Sequence, residues 1–361
     1  MKIFTADDVL TVAKRLNNSR RSYLLVNPLQ GKHLPVKPSA ALEMMNALGE
    51  KVAKKFFSAR LVIGFAETAT AIGAIVAKNL SDDCFYLQTT RETFNGAFIE
   101  FLEEHSHAPE QKIYKKDLFE LINRTDSVIF VDDELSTGKT LLNIIRQLKN
   151  EFPALKNKKI CAASIINRLS AENLANLAAE NISCVSLVKT DKNFDTDKFS
   201  VNTAQEISPV KKNFDLHELN FIDNPRFGVQ IGNYFAQCDA AGNFIVNLLK
   251  CENISGEILI LGTEEFMLPA IIAGNHLEQA NFSVFTHSTT RSPIGISTDE
   301  NYPIRTGFKL KSFYDSARTT YIYNLKTYDA VIIMTDSRNF SAGLDDLLAI
   351  LDAKNIFLVR C

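Results

Sequence analysis

The sequence has six cysteines, at positions 84, 161, 184, 238, 251 and 361, and no C-x-x-C pair among them. That spacing offers no metal finger, so the thiols are expected to be reduced, with Cys161 and Cys184 in apolar runs typical of core strands. No stretch reaches the roughly 18 to 20 apolar residues needed to span a bilayer, and the segment from Met1 to Leu16 lacks the apolar core of a secretion signal. A cytoplasmic protein with no membrane partner is expected. The formal net charge is only −2, so nothing points to a polyanion, and no nucleic-acid partner is expected. Internal repeats and low-complexity tracts are also absent from the string. What is present is ordinary for a folded protein: 361 residues, 46% apolar and 23% charged, enough for two domains with large cores.

The most informative stretch is Ser127 to Thr140, S-V-I-F-V-D-D-E-L-S-T-G-K-T. The apolar run Val128-Ile129-Phe130-Val131 predicts a buried parallel strand ending in two acids, Asp132 and Asp133. A small-residue loop follows, then a helix with Leu141, Leu142, Ile144, Ile145 and Leu148 on one face, stopped before Pro153. Ser136-Thr137-Gly138-Lys139-Thr140 would bring hydroxyls, unpaired amides and a close-approaching glycine to a helix N-terminus, the chemistry of a monophosphate cradle. Carboxylates beside such a cradle suit hydroxyl donors or hydrated Mg²⁺, and a phosphorylated sugar satisfies both demands. Gly138-Lys139-Thr140 also has the ending of a nucleotide-triphosphatase P-loop. That motif requires glycine five positions earlier, where this sequence has Asp133, a residue that would repel the phosphates.

The string Val131 to Thr140 resembles the phosphoribosyl-pyrophosphate (PRPP) motif of type I phosphoribosyltransferases. The resemblance implies that Asp132 and Asp133 hold the ribose hydroxyls, directly or with Mg²⁺, and that Ser136, Thr137, Gly138, Lys139 and Thr140 hold the 5-phosphate. Glu134 stands where most of the family has an apolar residue and is expected to point to solvent.

Other segments follow the same strand–loop–helix grammar. Leu61 to Phe65 predicts a strand, followed by Ala66-Glu67-Thr68-Ala69-Thr70 and a helix, and such loops line the crevice at the carboxyl ends of an open parallel sheet. By resemblance Thr68, Ala69 and Thr70 face pyrophosphate, while Glu67, repulsive to it, is expected to contact the nucleophile. The strand Cys84 to Leu87 leads to Gln88-Thr89-Thr90-Arg91-Glu92 and a long polar connection before the central strand. Such an insertion suggests a lid, with Arg91 on pyrophosphate and Glu104, His105 and His107 as candidates for proton transfer or substrate contact. Lys32 and His33, in the loop Asn27 to Pro35, are candidates for an anionic substrate.

Strands alternating with helices predict an α/β fold: an N-terminal phosphoribosyltransferase-like parallel sheet covered by helices on both faces, over 1–210. A polar linker, Pro209 to Asn213, would lead to a second Rossmann-like α/β domain over 211–361. There, polar clusters recur at strand ends, and Thr263, Glu264, Arg291 and Asp336 are expected to share a crevice. Thr290-Arg291-Ser292-Pro293, with N-P-L-Q-G-K-H-L-P, F-A-E-T-A-T-A-I-G, T-T-R-E and E-E-H-S-H, resembles the two-domain phosphoribosyltransferases with a C-terminal TRSP domain, found with bacterial tellurium-resistance and stress gene clusters. The resemblance implies Mg²⁺-dependent transfer of phosphoribose from PRPP to a nitrogenous base or related small-molecule acceptor, and a possible homo-oligomer. The alternative is a non-catalytic PRPP sensor.

Overall fold

The computed structural model describes residues 2–16, 21–101 and 111–361. Two compact units are present, and they interleave along the chain. Unit 1 comprises Met1–Ala6, Glu43–Asp191 and Asp223–Ala236, and unit 2 comprises Asp7–Leu42, Lys192–Ile222 and Gln237–Cys361. This differs from a single cut at 210. Elements are numbered along the whole chain. The short α1 (Ala6–Val9) and the long α2 (Pro38–Phe56) and α7 (Ile231–Cys251) each give residues to both units.

Unit 1 holds a six-stranded sheet in the order β11-β4-β3-β7-β8-β9. β3 (Leu61–Gly64), β4 (Phe85–Gln88), β7 (Ser127–Leu135), β8 (Lys159–Asn167) and β9 (Ile182–Lys189) run parallel, and β11 (Val229–Gln230) is antiparallel to β4. α3 (Thr70–Leu80), α4 (Leu118–Arg124), α5 (Lys139–Glu151) and α6 (Ala171–Ala179) connect the strands, and β5 (Phe98–Phe101) pairs with β6 (Gln111–Tyr114) as an antiparallel hairpin between β4 and β7. The four residues of β3 are all buried, as a strand covered on both faces requires. α5 is amphipathic: Leu141, Ile144, Ile145 and Leu148 are buried, and the Phe152 N–H closes the last turn onto the Leu148 carbonyl just ahead of Pro153.

The central strand runs further than its apolar residues. Asp132 lies opposite Ser164 of β8, and Glu134 and Leu135 lie opposite Ile166 and Asn167. The acids expected to end the strand therefore sit within a ladder that continues to Leu135, which holds their backbone rigid. Glu134, expected in solvent, instead pairs with Arg168 at 3.6 Å, with both side chains almost buried.

Unit 2 holds a five-stranded, all-parallel sheet in the order β10-β17-β16-β12-β13, made of β10 (Asp215–Glu218), β12 (Glu257–Gly262), β13 (Ser283–Ser288), β16 (Thr327–Thr335) and β17 (Asp352–Arg360). Ile258 and Ile260 face one core with Ile332 and Met334, while Leu259 and Leu261 face another with Val331 and Ile333. Alternation by two residues thus fills both faces of the sheet. α8 (Leu268–Gln279) and α9 (Ser341–Ile350) follow β12 and β16, and the antiparallel pair β14 (Gly307–Lys311) and β15 (Thr319–Tyr323) is inserted between β13 and β16. A second antiparallel pair, β1 (Thr11–Lys14) and β2 (Tyr23–Val26), also belongs to this unit.

Candidate functional site

The carboxyl ends of β3 and β7 are neighbours in the sheet, with Gly64 opposite Val131, so the loops that follow them face one crevice. Two glycines let α3 close onto β3. A Cβ on Gly73 would lie 2.9 Å from the Gly64 Cα, and one on Gly64 would lie 2.6 Å from the Tyr86 hydroxyl. That hydroxyl donates to the Thr70 carbonyl at 2.6 Å and fixes the start of α3. Between strand and helix the Ala66–Glu67 peptide is cis.

Thr68 in this loop donates its hydroxyl to the Asp133 carboxylate at 2.8 Å. The bond ties the proposed pyrophosphate loop to the acid pair. The Asp133 N–H donates to Asp132 Oδ1 at 2.9 Å. Burial, followed by the neighbouring Asp133 charge, pushes the Asp132 carboxyl well above the usual carboxylate range. A cation or hydroxyl donors placed beside the pair would relieve that penalty. Among the described residues no group of three or more His, Cys, Asp or Glu could hold a metal. The two carboxylates nevertheless fit Mg²⁺, which commonly takes one or two carboxylates and completes its shell with water and substrate phosphate oxygens.

Gly138 adopts φ +72°, the left-handed conformation that glycine tolerates, and α5 begins at the next residue. Lys139 N–H donates to the Thr137 hydroxyl at 3.4 Å, and the Gly138 carbonyl accepts from Leu142 at 2.9 Å. Thr137, Lys139 and Thr140 are exposed and Ser136 is half-buried. The structure therefore places a turn of small hydroxyl residues at a helix N-terminus in the same strand–loop–helix unit as the two acids.

Of the remaining candidates, Glu67 is 7% exposed, Ala69 is buried, and Arg91 lies exposed after β4. Glu104, His105 and His107 lie outside the described residues. Sequence reasoning missed Thr89, which is fully buried: its hydroxyl accepts from the Ala66 N–H at 2.8 Å and donates to Gln111 at 2.6 Å, bracing the loop after β3.

Residues 9–191 match the family model described as phosphoribosyl transferase, PRTase_2. The chain belongs to that family. Residues 223–351 match a second model, the TRSP domain C-terminal to PRTase_2. Among solved structures, the PRTase_2 chain is similar to orotate phosphoribosyltransferase from Aeropyrum pernix, with 18% identity, TM-score 0.33, and coverage of 50% of this chain and 88% of that one. It is also similar to adenine phosphoribosyltransferase from Trypanosoma brucei, with 15% identity, TM-score 0.35, and coverage of 50% and 76%. The Giardia lamblia enzyme gives 15% identity, TM-score 0.36, and coverage of 51% and 96%. No curated protein matches.

In the TRSP-containing unit 2, the structure brings together Thr263, Glu264, Arg291 and Asp336. Arg291 Nε donates to Glu264 Oε2 at 3.1 Å, Tyr314 donates its hydroxyl to Asp336, and that hydroxyl also lies 3.2 Å from Thr263 Oγ1. Lys32, which sequence reasoning offered to an anionic substrate, is fully buried and donates to the carbonyls of Glu264 at 2.6 Å and Thr289 at 2.9 Å. His33, offered with it, is also buried. Lys32 thereby braces unit 2 internally. Ser312, Tyr314 and Arg318, which complete the cluster, carry no sequence signal.

Proposed function

We propose that this PRTase_2 protein is a Mg²⁺-dependent phosphoribosyltransferase that moves phosphoribose from PRPP to a nitrogenous base or related small-molecule nucleophile and releases pyrophosphate. The observation that carries the reading is the junction in unit 1 where Asp132, Asp133 and the Thr68 hydroxyl meet beside the Gly138 turn and the start of α5.

In this reading Asp132 and Asp133 accept hydrogen bonds from the ribose hydroxyls, which their crowding favours. The turn from Ser136 to Thr140 receives the 5-phosphate, and Thr68, Ala69 and Thr70 lie along the pyrophosphate, with Arg91 in reach of its charge. Asp132 and Asp133 would hold Mg²⁺, directly or through water, and the ion would supply charge neutralisation for the leaving pyrophosphate. The C1–O bond breaks with its electron pair going to pyrophosphate, and the acceptor nitrogen's lone pair forms the new C1–N bond. No side-chain nucleophile is needed. Catalysis rests on holding both partners in line and on stabilising the leaving charge. Glu67, almost buried in the same loop, is proposed to face the acceptor.

The test is calorimetric titration with PRPP and Mg²⁺ of the wild type and of Asp133→Asn, followed by a pyrophosphate-release screen. Binding weakened at least tenfold in the variant, about 1.4 kcal/mol, supports the ribose assignment. Absence of binding at millimolar PRPP overturns it. Binding with no pyrophosphate released by any acceptor points instead to a PRPP sensor.

A further inference from the structure

The two units share more than a fold class. In unit 1 the parallel strands run β4-β3-β7-β8-β9, and in unit 2 they run β13-β12-β16-β17-β10, each with a helix after the second and third strands in that order and an antiparallel hairpin inserted after the first. The registers coincide: Gly64 lies opposite Gln88 and Val131, and Gly262 lies opposite Ser288 and Met334.

The correspondence extends to single hydrogen bonds. Thr89 N–H donates to the Gly64 carbonyl at 2.9 Å, and Thr289 N–H to the Gly262 carbonyl at 3.2 Å. The Thr89 hydroxyl accepts from Ala66 N–H at 2.8 Å, and the Thr289 hydroxyl from Glu264 N–H at 3.0 Å. Thr90 N–H donates to Lys112 of one hairpin at 2.9 Å, and Thr290 N–H to Tyr321 of the other at 2.9 Å. The Thr90 hydroxyl accepts from Glu92 N–H at 3.0 Å, and the Thr290 hydroxyl from Ser292 N–H at 3.3 Å. T-T-R thus recurs at 89–91 and 289–291 in one structural role. Continuing from the shared register, Asp133 corresponds to Asp336, and each accepts a hydroxyl, from Thr68 and from Tyr314 respectively.

The copies differ where chemistry would happen. Asp132 corresponds to Thr335, and the turn leading into α9 has no counterpart of S-T-G-K-T. Ala66 corresponds to Glu264, which is fully buried at φ +47°. Its carboxylate receives Arg291 Nε at 3.1 Å, the Ser312 hydroxyl at 2.6 Å and the Phe313 N–H at 3.2 Å, with Arg318 Nη2 at 3.8 Å. Two guanidinium groups, a hydroxyl and a backbone amide form the donor set that recognises phosphate or carboxylate oxygens.

We propose that unit 2 is a second, degenerate copy of the transferase core, and that Glu264 fills its anion seat as a built-in substitute for pyrophosphate. The chain accordingly holds one PRPP, in unit 1, a count that rests on the function proposed above. Unit 2 contains a pyrophosphate-class seat kept shut by its own carboxylate.

Glu264→Gly tests this, because glycine suits φ +47° and empties the seat. Calorimetry with pyrophosphate is expected to give one more site per chain in the variant than in the wild type, and Arg291→Ala in the variant background is expected to remove the extra site. The comparison stands whether the wild type binds one pyrophosphate or none, so failure of the unit 1 reading is seen separately. A folded Glu264→Gly protein with unchanged stoichiometry overturns the proposal, as do two PRPP molecules bound per wild-type chain. If the variant does not fold in dilute buffer, refolding is repeated with formate against chloride at equal ionic strength. Formate-dependent recovery supports the proposal, and failure to recover overturns it.

Discussion

Thr68 and Asp133, 65 residues apart in sequence, share a 2.8 Å hydrogen bond that joins the loop after β3 to the end of β7. Either residue alone is an ordinary loop or strand-end side chain. Together they fix the distance between the proposed pyrophosphate and ribose subsites. Thr68→Val keeps the shape and deletes the donor. It is expected to weaken PRPP binding about fivefold, the equivalent of about 1 kcal/mol for one hydrogen bond, as read by calorimetry.

Asp132 is held above the usual carboxylate range by burial and by the Asp133 charge. The unfolded carboxyl ionises near about pH 3.9 while the folded one stays protonated, so stability from this group is full below that pH and is lost as pH rises through the folded pKa. Asp132→Asn removes the penalty. The variant is expected to melt above the wild type at pH 8, with the gap closing toward pH 4, and to bind PRPP more weakly at every pH. Melting curves across that range check the sign, and a wild type that melts higher at pH 8 would refute it.

His287 presents the reverse case. It is buried, Nε2 lies 2.8 Å from the Tyr323 carbonyl and Nδ1 lies 3.5 Å from that of Gly31, and burial lowers its pKa to about 4. An unfolded imidazole protonates near about pH 6.5, so this contribution is full above that value and is lost as pH falls toward about 4. The slope is at most about 1.4 kcal/mol per pH unit, one proton's worth. His287→Gln is expected to be less stable at pH 7 yet to lose less on acidification, which chemical denaturation at pH 7 and pH 5 measures.

Gly64→Ala would put a methyl group 2.6 Å from the Tyr86 hydroxyl that anchors Thr70. Overpacking of this kind costs about 1–3 kcal/mol, and the urea midpoint should fall accordingly. A midpoint equal to the wild type would mean that α3 yields without cost.

The acid pair and the S-T-G-K-T turn were legible because ladder, turn and helix start all lie within Ser127 to Thr140, where local pattern decides structure. The mostly parallel order of the first sheet was legible from strands alternating with helices, although β11, antiparallel to β4, was not. Contacts between distant segments were not. Nothing in N-P-L-Q-G-K-H-L-P shows that Lys32 reaches the Glu264 carbonyl, 232 residues away, and a lysine in a proline-marked loop is ordinarily solvated. Glu134 was misjudged similarly, because its partner Arg168 sits just past the end of the neighbouring strand β8. The absence of repeats in the string also concealed the paired cores: backbone registers and threonine hydrogen bonds persist there while most side chains differ. T-T-R at 89–91 and 289–291 was the visible trace.

Because Asp223–Ala236 belongs to unit 1 while Asp7–Leu42 belongs to unit 2, no single cleavage frees either one whole. A recombinant fragment ending at 210 would lose β11 and leave the β4 edge open to pairing with other chains. It would also keep β1 and β2 without the Ile294, Tyr302 and Tyr323 side chains that pack with Ala13 and Val26. Such fragments are expected to aggregate on expression. Separate expression of either unit would therefore require rejoining segments that the chain keeps apart.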